Sequence, residues 1–216
     1  MGNGEKGKNL QAGQTPQQAN TGWLYVYILV FIFCAVFFQA RSSVPPWKDG
    51  SRIEYFTSSL LWMLSLTCLL IAMENLSVKG RALFWLAASA ALAVLAMDEI
   101  FAYHEHTEQL LGDDDDFKIA LVVMAGGVLY FICRMEAAPW PVARILLAGY
   151  LVQVLWILDD MGDGDFFRLP FPIHVLWWAE EFLELLSMAT YLLGFQALYA
   201  HIRARRQSAP VIVEAR

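Results

Sequence analysis

The sequence predicts an all-α polytopic membrane protein, a six-transmembrane-helix bundle with both termini in the cytoplasm. Three observations lead there. Apolar runs of span length recur along the chain, 58% of its 216 residues are hydrophobic against 17% charged, and the basic residues gather on one side of those runs. Together they exclude an ordinary soluble domain. The three cysteines, Cys34, Cys68 and Cys133, all lie inside apolar runs. That placement argues against a disulfide framework, and without a Cys-x-x-Cys pair a thiolate zinc site is not expected either.

Residues 1–21 are rich in Gly, Gln, Asn and Lys without apolar periodicity, and read as a disordered cytoplasmic tail. The lead is too long and polar for a secretory signal, so the first span is expected to be retained. A membrane bundle over 22–203 follows, then a basic cytoplasmic tail over 204–216. Span 1 runs from Trp23 to Ala40 without a charge. Span 2 covers Tyr55 to Met73 and is closed by Glu74 and the Lys79/Arg81 pair. Span 3 runs from Ala82 to about Tyr103, and its Ala87, Ala88, Ala90, Ala91 and Ala93 would let neighbouring helices approach closely. Span 4, Phe117 to Cys133, is short and contains Gly126-Gly127. Span 5 runs from Pro141 to Leu158. Span 6 starts after Pro172, where proline suits a first turn, and continues to about His201.

Six spans put Lys6, Lys8, Lys79, Arg81, Arg134, Arg144, Arg203, Arg205, Arg206 and Arg216 on one side. Arg41, Lys48, Arg52, Lys118 and Arg168 fall on the other. The richer side is cytoplasmic by the positive-inside rule, which gives a multi-pass protein of the cell (inner) membrane. The acidic loops Asp113-Asp114-Asp115-Asp116 and Asp159-Asp160-Met161-Gly162-Asp163-Gly164-Asp165 are then extracytoplasmic. Solvated loop acids are the simplest reading of the four-aspartate run. The second loop fails the spacing of an EF-hand.

Charge inside a membrane is expensive and calls for a partner, a proton or a metal. Asp98 lies 17 residues beyond Arg81, Asp159 lies 15 beyond Arg144 and Glu184 lies 19 before Arg203. At about 1.5 Å per residue these distances bring carboxylates from spans 3, 5 and 6 to one level near the outer boundary. Asp98 and Glu105 share a helical stripe, with Glu99 and His106 beside it. His174, Glu181 and Glu184 share a side of span 6. The candidate metal ligands are therefore Asp98, Glu99, Glu105, His106, His174, Glu181 and Glu184, with Asp98 and Glu184 as candidate catalytic carboxylates. Zn, Mn or Fe is the divalent metal such donors would take. Hydrated interfacial acids, proton-sharing carboxylate pairs and an arginine counter-ion are the competing readings.

Two catalytic patterns share residue types with this chain. Asp159-Asp160-Met161-Gly162-Asp163 resembles the aspartate motif of membrane prenyltransferases, but a second aspartate motif is missing and the chain is short for that fold. His104, His106, His174 and Asp98 resemble the ligand types of the alkaline-ceramidase type of membrane hydrolase, whose His-x-x-x-His helix is lacking. Asp98-Glu99 with His104-Glu105, and Glu180-Glu181 with Glu184, resemble the Asp-Glu-x4-His-Glu and Glu-Glu-x2-Glu patterns of uncharacterised bacterial multi-span membrane proteins. That resemblance covers spans 3 to 6. It implies a shared acidic intramembrane site and supplies no activity.

Three classes of function follow. The first is a cation-binding cavity open to the extracytoplasmic face, with metal-assisted hydrolysis or transfer on a lipid or lipid-linked substrate if the protein is an enzyme. The second is proton or cation translocation, or sensing, through the same carboxylates. The third is a non-catalytic assembly role, with a membrane partner or oligomer. The expected partner in every case is the lipid bilayer, and no nucleic acid is expected.

Overall fold

A computed structural model describes residues 22–41, 52–101, 115–163 and 173–208. The predicted tail 1–21, the first half of the four-aspartate run, the segment bearing His104, Glu105 and His106, and residues 209–216 lie outside the described residues, while Asp115 and Asp116 begin a helix. Among the described residues the chain is all-α, with six helices in the order α1 (Gly22–Ala40), α2 (Arg52–Glu74), α3 (Lys79–Phe101), α4 (Asp115–Met135), α5 (Trp140–Asp163) and α6 (Ile173–Gln207). Four of them, α2, α3, α5 and α6, are long and apolar enough to cross a membrane. The other two give the shorter apolar stretches Leu29–Ala40 and Val122–Met135.

The outside of the bundle is greasy. Leu83, Val94 and Val123 are about two-thirds exposed, and many other large apolar side chains face outward as well. An aqueous protein rarely leaves so much apolar surface contiguous, whereas a lipid-facing one must. A membrane protein is what these apolar helices make.

Lipid offers little hydrophobic drive for helices to associate, so the helices are held by close packing and by hydrogen bonds across their seams. The α2–α3 seam is built from small residues one heptad apart on each helix. Ser58 and Ser65 meet Ala96 and Ser89, Ser58 Oγ donating to the Ala96 carbonyl at 2.7 Å and Ser65 Oγ to the Ser89 carbonyl at 2.8 Å, and the same register sets the buried Ala72 level with the buried Ala82. Of the alanines expected to allow close approach on α3, Ala87, Ala90 and Ala91 are exposed, whereas Ala88 and Ala93 are half-buried and Ala88 packs against the core. The α5–α6 seam uses glycine. A Cβ at Gly194 would collide with the Leu146 side chain, and one at Gly149 would come within 3.2 Å of the Tyr191 ring.

α3 and α6 do not approach through their backbones, and large side chains fill the space between them. Trp85 sets its ring edge-on to Phe195, centroids 5.9 Å apart. One heptad on from that pair, Leu92 of α3 and Met188 of α6 are both partly buried against the core.

The end of the bundle that carries Lys79, Arg81, Arg144 and Arg203 is closed by Glu136, just beyond α4 and wholly buried. Its Oε1 accepts from Trp85 Nε1 at 2.8 Å and from Asn75 Nδ2 at 3.3 Å. Its Oε2 lies 3.4 Å from Arg205 Nη2 and 3.7 Å from Arg81 Nη1, while Arg205 Nη1 donates to the Glu136 carbonyl at 3.0 Å. Beside this group Arg206 donates to Ser77 Oγ at 2.8 Å and lies 3.8 Å from Glu74. These contacts carry α6 as an ordered helix to Gln207, through residues expected to begin a tail. The turn after Glu136 places Ala137 at φ 50°, with Ala138 N donating to the Cys133 carbonyl at 3.0 Å. That is a left-handed helix cap normally given to glycine, and Pro139 then prevents continuation.

Removing the Glu136 carboxylate strands the buried Trp85 and Asn75 donors, while Arg81 and Arg205, 36% and 42% exposed, turn to solvent. Glu136→Ala is therefore expected to destabilise the protein by about 2 kcal/mol, read as a lower thermal midpoint in detergent. Glu136→Gln should lose less, because the amide oxygen still accepts from Trp85. A midpoint unchanged in Glu136→Ala would show that this contact does not hold the helices together.

Candidate functional site

The opposite end carries the acids, and the helix registers place them. The stripe of α3 that carries Trp85 and Leu92 reaches Glu99 one heptad later. The stripe of α6 that carries Phe195 and Met188 reaches Glu181 one heptad earlier, with Glu184 one turn along it. The Trp85–Phe195 register therefore extends, through Leu92 and Met188, to Glu99 facing Glu181. Two heptads at about 1.5 Å per residue separate the two levels by roughly 21 Å.

α2 supplies a further acid. Ser58 pairs with Ala96 and Ser65 with Ser89, and the same register brings Glu54 within a residue of Glu99. Gln196 Nε2 donates to Thr67 Oγ1 at 2.8 Å, and the parallel register it shares with the Arg206–Ser77 contact brings Glu54 level with Leu183, beside Glu184. The electrostatics agree with this placement. The charges of Glu99, Glu181, Glu180 and Glu54 act on Glu184, and those of Glu180, Glu54 and Glu99 act on Glu181. All five side chains are half-buried.

Two polar atoms belong to the same level. Among the described residues, Thr57 Oγ1 and Trp156 Nε1 are buried without a hydrogen-bond partner. Thr57 is wholly buried, one turn from Glu54 and on the α6-facing stripe of α2 with Leu60, Leu64 and Thr67. Trp156 continues the α6-facing stripe of α5 beyond Gln153, whose Oε1 accepts from Tyr191 Oη at 2.6 Å. That register sets Trp156 within a turn of Glu184. A buried polar group without a partner costs free energy, on the order of 1–3 kcal/mol, and in native proteins it asks for an explanation.

The sequence-predicted residues distribute as follows. Glu99, Glu181 and Glu184 come together. Asp98 is half-buried on the adjacent stripe of α3, one and two heptads from Ala91 and Phe84. His174 belongs to the first turn of α6, and its side chain lies outside the described residues, as do those of Asp159 and Asp160. Glu105 and His106 lie outside them entirely. Among the described residues, no group of three or more His, Cys, Asp or Glu side chains is arranged to hold a metal ion. Glu54 was passed over because it sits just before the apolar run of its span. The signal that would have found it is its heptad spacing from Leu61 and Cys68, both buried. Glu136 was missed too, although an acid in an otherwise basic junction is itself a signal.

A family profile described as "Domain of unknown function (DUF8692)" matches residues 23–198, the greater part of the chain and every one of these helices. The chain belongs to that family. No curated protein and no solved structure matches the chain. The family's matched region contains Glu54, Glu99, Glu136, Glu180, Glu181 and Glu184, and ends short of Arg205 and Arg206.

Glu181 and Glu184 stand one turn apart on α6, and like charges so placed repel. Neutralising one of them should therefore stabilise the protein. In buffer with a chelator, Glu184→Gln is expected to raise the thermal midpoint by about 2 °C. A clear drop would mean that Glu184 is a structural partner, not a member of a crowded acidic group.

Proposed function

We propose that this membrane protein takes up a hydrated cation in an acidic cavity between α2, α3 and α6, open to the extracytoplasmic side. The reading is supported by the mutual charge effects among Glu54, Glu99, Glu180, Glu181 and Glu184, and by the buried, partnerless Trp156 Nε1 and Thr57 Oγ1, which the helix registers set within about a turn of Glu184. The orientation rests on the positive-inside rule, with the Glu136 end cytoplasmic.

The donor types select the state of the cation. An indole N–H only donates, so Trp156 cannot ligate a metal, but it can donate to the oxygen of a cation-bound water. Thr57 can accept from such a water or donate to it, and the carboxylates accept from the same shell. A cation that keeps its water suits this arrangement, and Mg²⁺ dehydrates reluctantly. Zinc would need direct His, Cys or carboxylate ligands, and the described residues do not group that way. An enzymatic use on a lipid-linked substrate would require the same cation to polarise an oxygen, with Glu184 or Asp98 moving the proton.

The test is cation titration of the detergent-purified protein, followed by thermal midpoint and isothermal calorimetry. Mg²⁺ and Mn²⁺ are expected to raise the midpoint. Glu181→Gln with Glu184→Gln should weaken that affinity at least tenfold, and Trp156→Phe several-fold. Equal affinity in wild type and in the double variant would sink the reading.

A second reading, proton passage, is favoured by the polar pairs Tyr191–Gln153 and Gln196–Thr67, which lie in that order between Glu184 and the Glu136 end. If it holds, liposomes containing the protein will dissipate a pH gradient, and Tyr191→Phe will slow that flux severalfold while leaving cation affinity intact. No flux above empty liposomes would exclude it.

A further inference from the structure

A separate cavity of about 590 Å³ lies on the other side of α6. Its walls are Leu29 and Ile32 of α1, Ile145 and Ala148 of α5, and Leu186 and Leu193 of α6. The three α6 positions that face it, Leu186, Thr190 and Leu193, form one helical stripe, and Thr190 spends its hydroxyl on the Leu186 carbonyl at 2.7 Å. The surface along that stripe is therefore effectively apolar. Arg144 lies at one end, in the first turns of α5.

The opening has a direction. α1 and α5 both pack on α6 but not on each other, so the cavity opens sideways between them. The flanks of that opening are apolar and exposed: Val30 on α1, and Leu147 and Leu151 on α5. In a bilayer such a mouth faces acyl chains rather than water. Arg144 is exposed and, among the described residues, makes no ion pair. Arg81 and Arg205 share Glu136, and Arg206 has Glu74, but Lys79, Arg134 and Arg203 add further positive charge to that end.

We propose that this groove binds one anionic phospholipid, with an acyl chain along Leu186, Thr190 and Leu193 and the phosphate held by the Arg144 guanidinium. A guanidinium matches phosphate geometry with paired N–H donors, and a planar cation at the mouth of an apolar slot fits the two ends of a lipid. The surplus of cations around Arg144 favours a head group of net negative charge over a zwitterionic one. This site is independent of the acidic cavity, and nothing in the cation reading depends on it.

The experiment is lipid titration of delipidated, full-length protein in detergent, read by native mass spectrometry. Phosphatidylglycerol and phosphatidylcholine are the two lipids, and inorganic phosphate is the competitor. Phosphatidylglycerol is expected to bind as a single retained molecule, at least fivefold more tightly than phosphatidylcholine and without displacement by inorganic phosphate. Arg144→Gln should weaken it about tenfold, and Ala148→Trp, which fills the groove, should abolish retention. A thermal midpoint for each variant reports folding; should Ala148→Trp not fold, Arg144→Gln alone decides. Equal phosphatidylglycerol binding by wild type and Arg144→Gln overturns the proposal. So does displacement by inorganic phosphate, or an Ala148→Trp variant that keeps its lipid but loses a dimer seen in wild type.

Discussion

A carboxylate with no exposed surface, Glu136, ties together elements that are far apart in sequence. It receives hydrogen bonds from the end of α2 and the first turns of α3, and both a side-chain and a backbone contact from the end of α6. Desolvating a carboxylate is costly, and here two guanidinium groups, an indole and an amide offset the cost together. The group cannot be dismantled piece by piece, since each loss strands the others. That all-or-none character fixes the height of α6 against α3, and so fixes which residues face each other two heptads away.

What lies at the far end of that register is of the opposite kind. From Trp85 and Phe195, through Leu92 and Met188, the facing stripes of α3 and α6 change from aromatic to aliphatic to acidic. The backbones stay apart throughout, so the space between the facing stripes is bridged by side chains alone, and at this level those side chains are carboxylates. The small-residue seam between α2 and α3 brings Glu54 to the same level. The contacts at the Glu136 end thus set the register in which these acids meet.

The helices were legible in the sequence because their signals are local. Apolar runs gave α1 to α6, with α5 and α6 continuing five and six residues past their expected ends, and Pro141 marked the first turn of α5. That Glu99 and Glu184 lie near one height was legible as well, since a rise per residue converts spacing into height. The choice of face was not. Asp98 and Glu99 are neighbours, and a single residue rotates a side chain by about 100°. Only the partner helix decides which of the two looks inward, and that partner was identified by Trp85, whose ring is as easily read as a membrane-interface residue. Glu54 and Glu136 were hidden for a related reason. Each lies just outside an apolar run, where hydropathy assigns a charged residue to solvent, and each is turned inward by tertiary contacts that no local pattern encodes.

Trp156 and Thr57 bring the argument from placement to chemistry. Five carboxylates alone are acceptors when ionised, and acceptors alone are satisfied by any cation or by protons. Adding a buried N–H that can only donate, and a hydroxyl that can do either, narrows the contents to something that also offers acceptor atoms. A bare ion does not. Under the proposed reading, water carried in with a cation would do so, its protons meeting the carboxylates and outer-shell oxygens accepting from the indole.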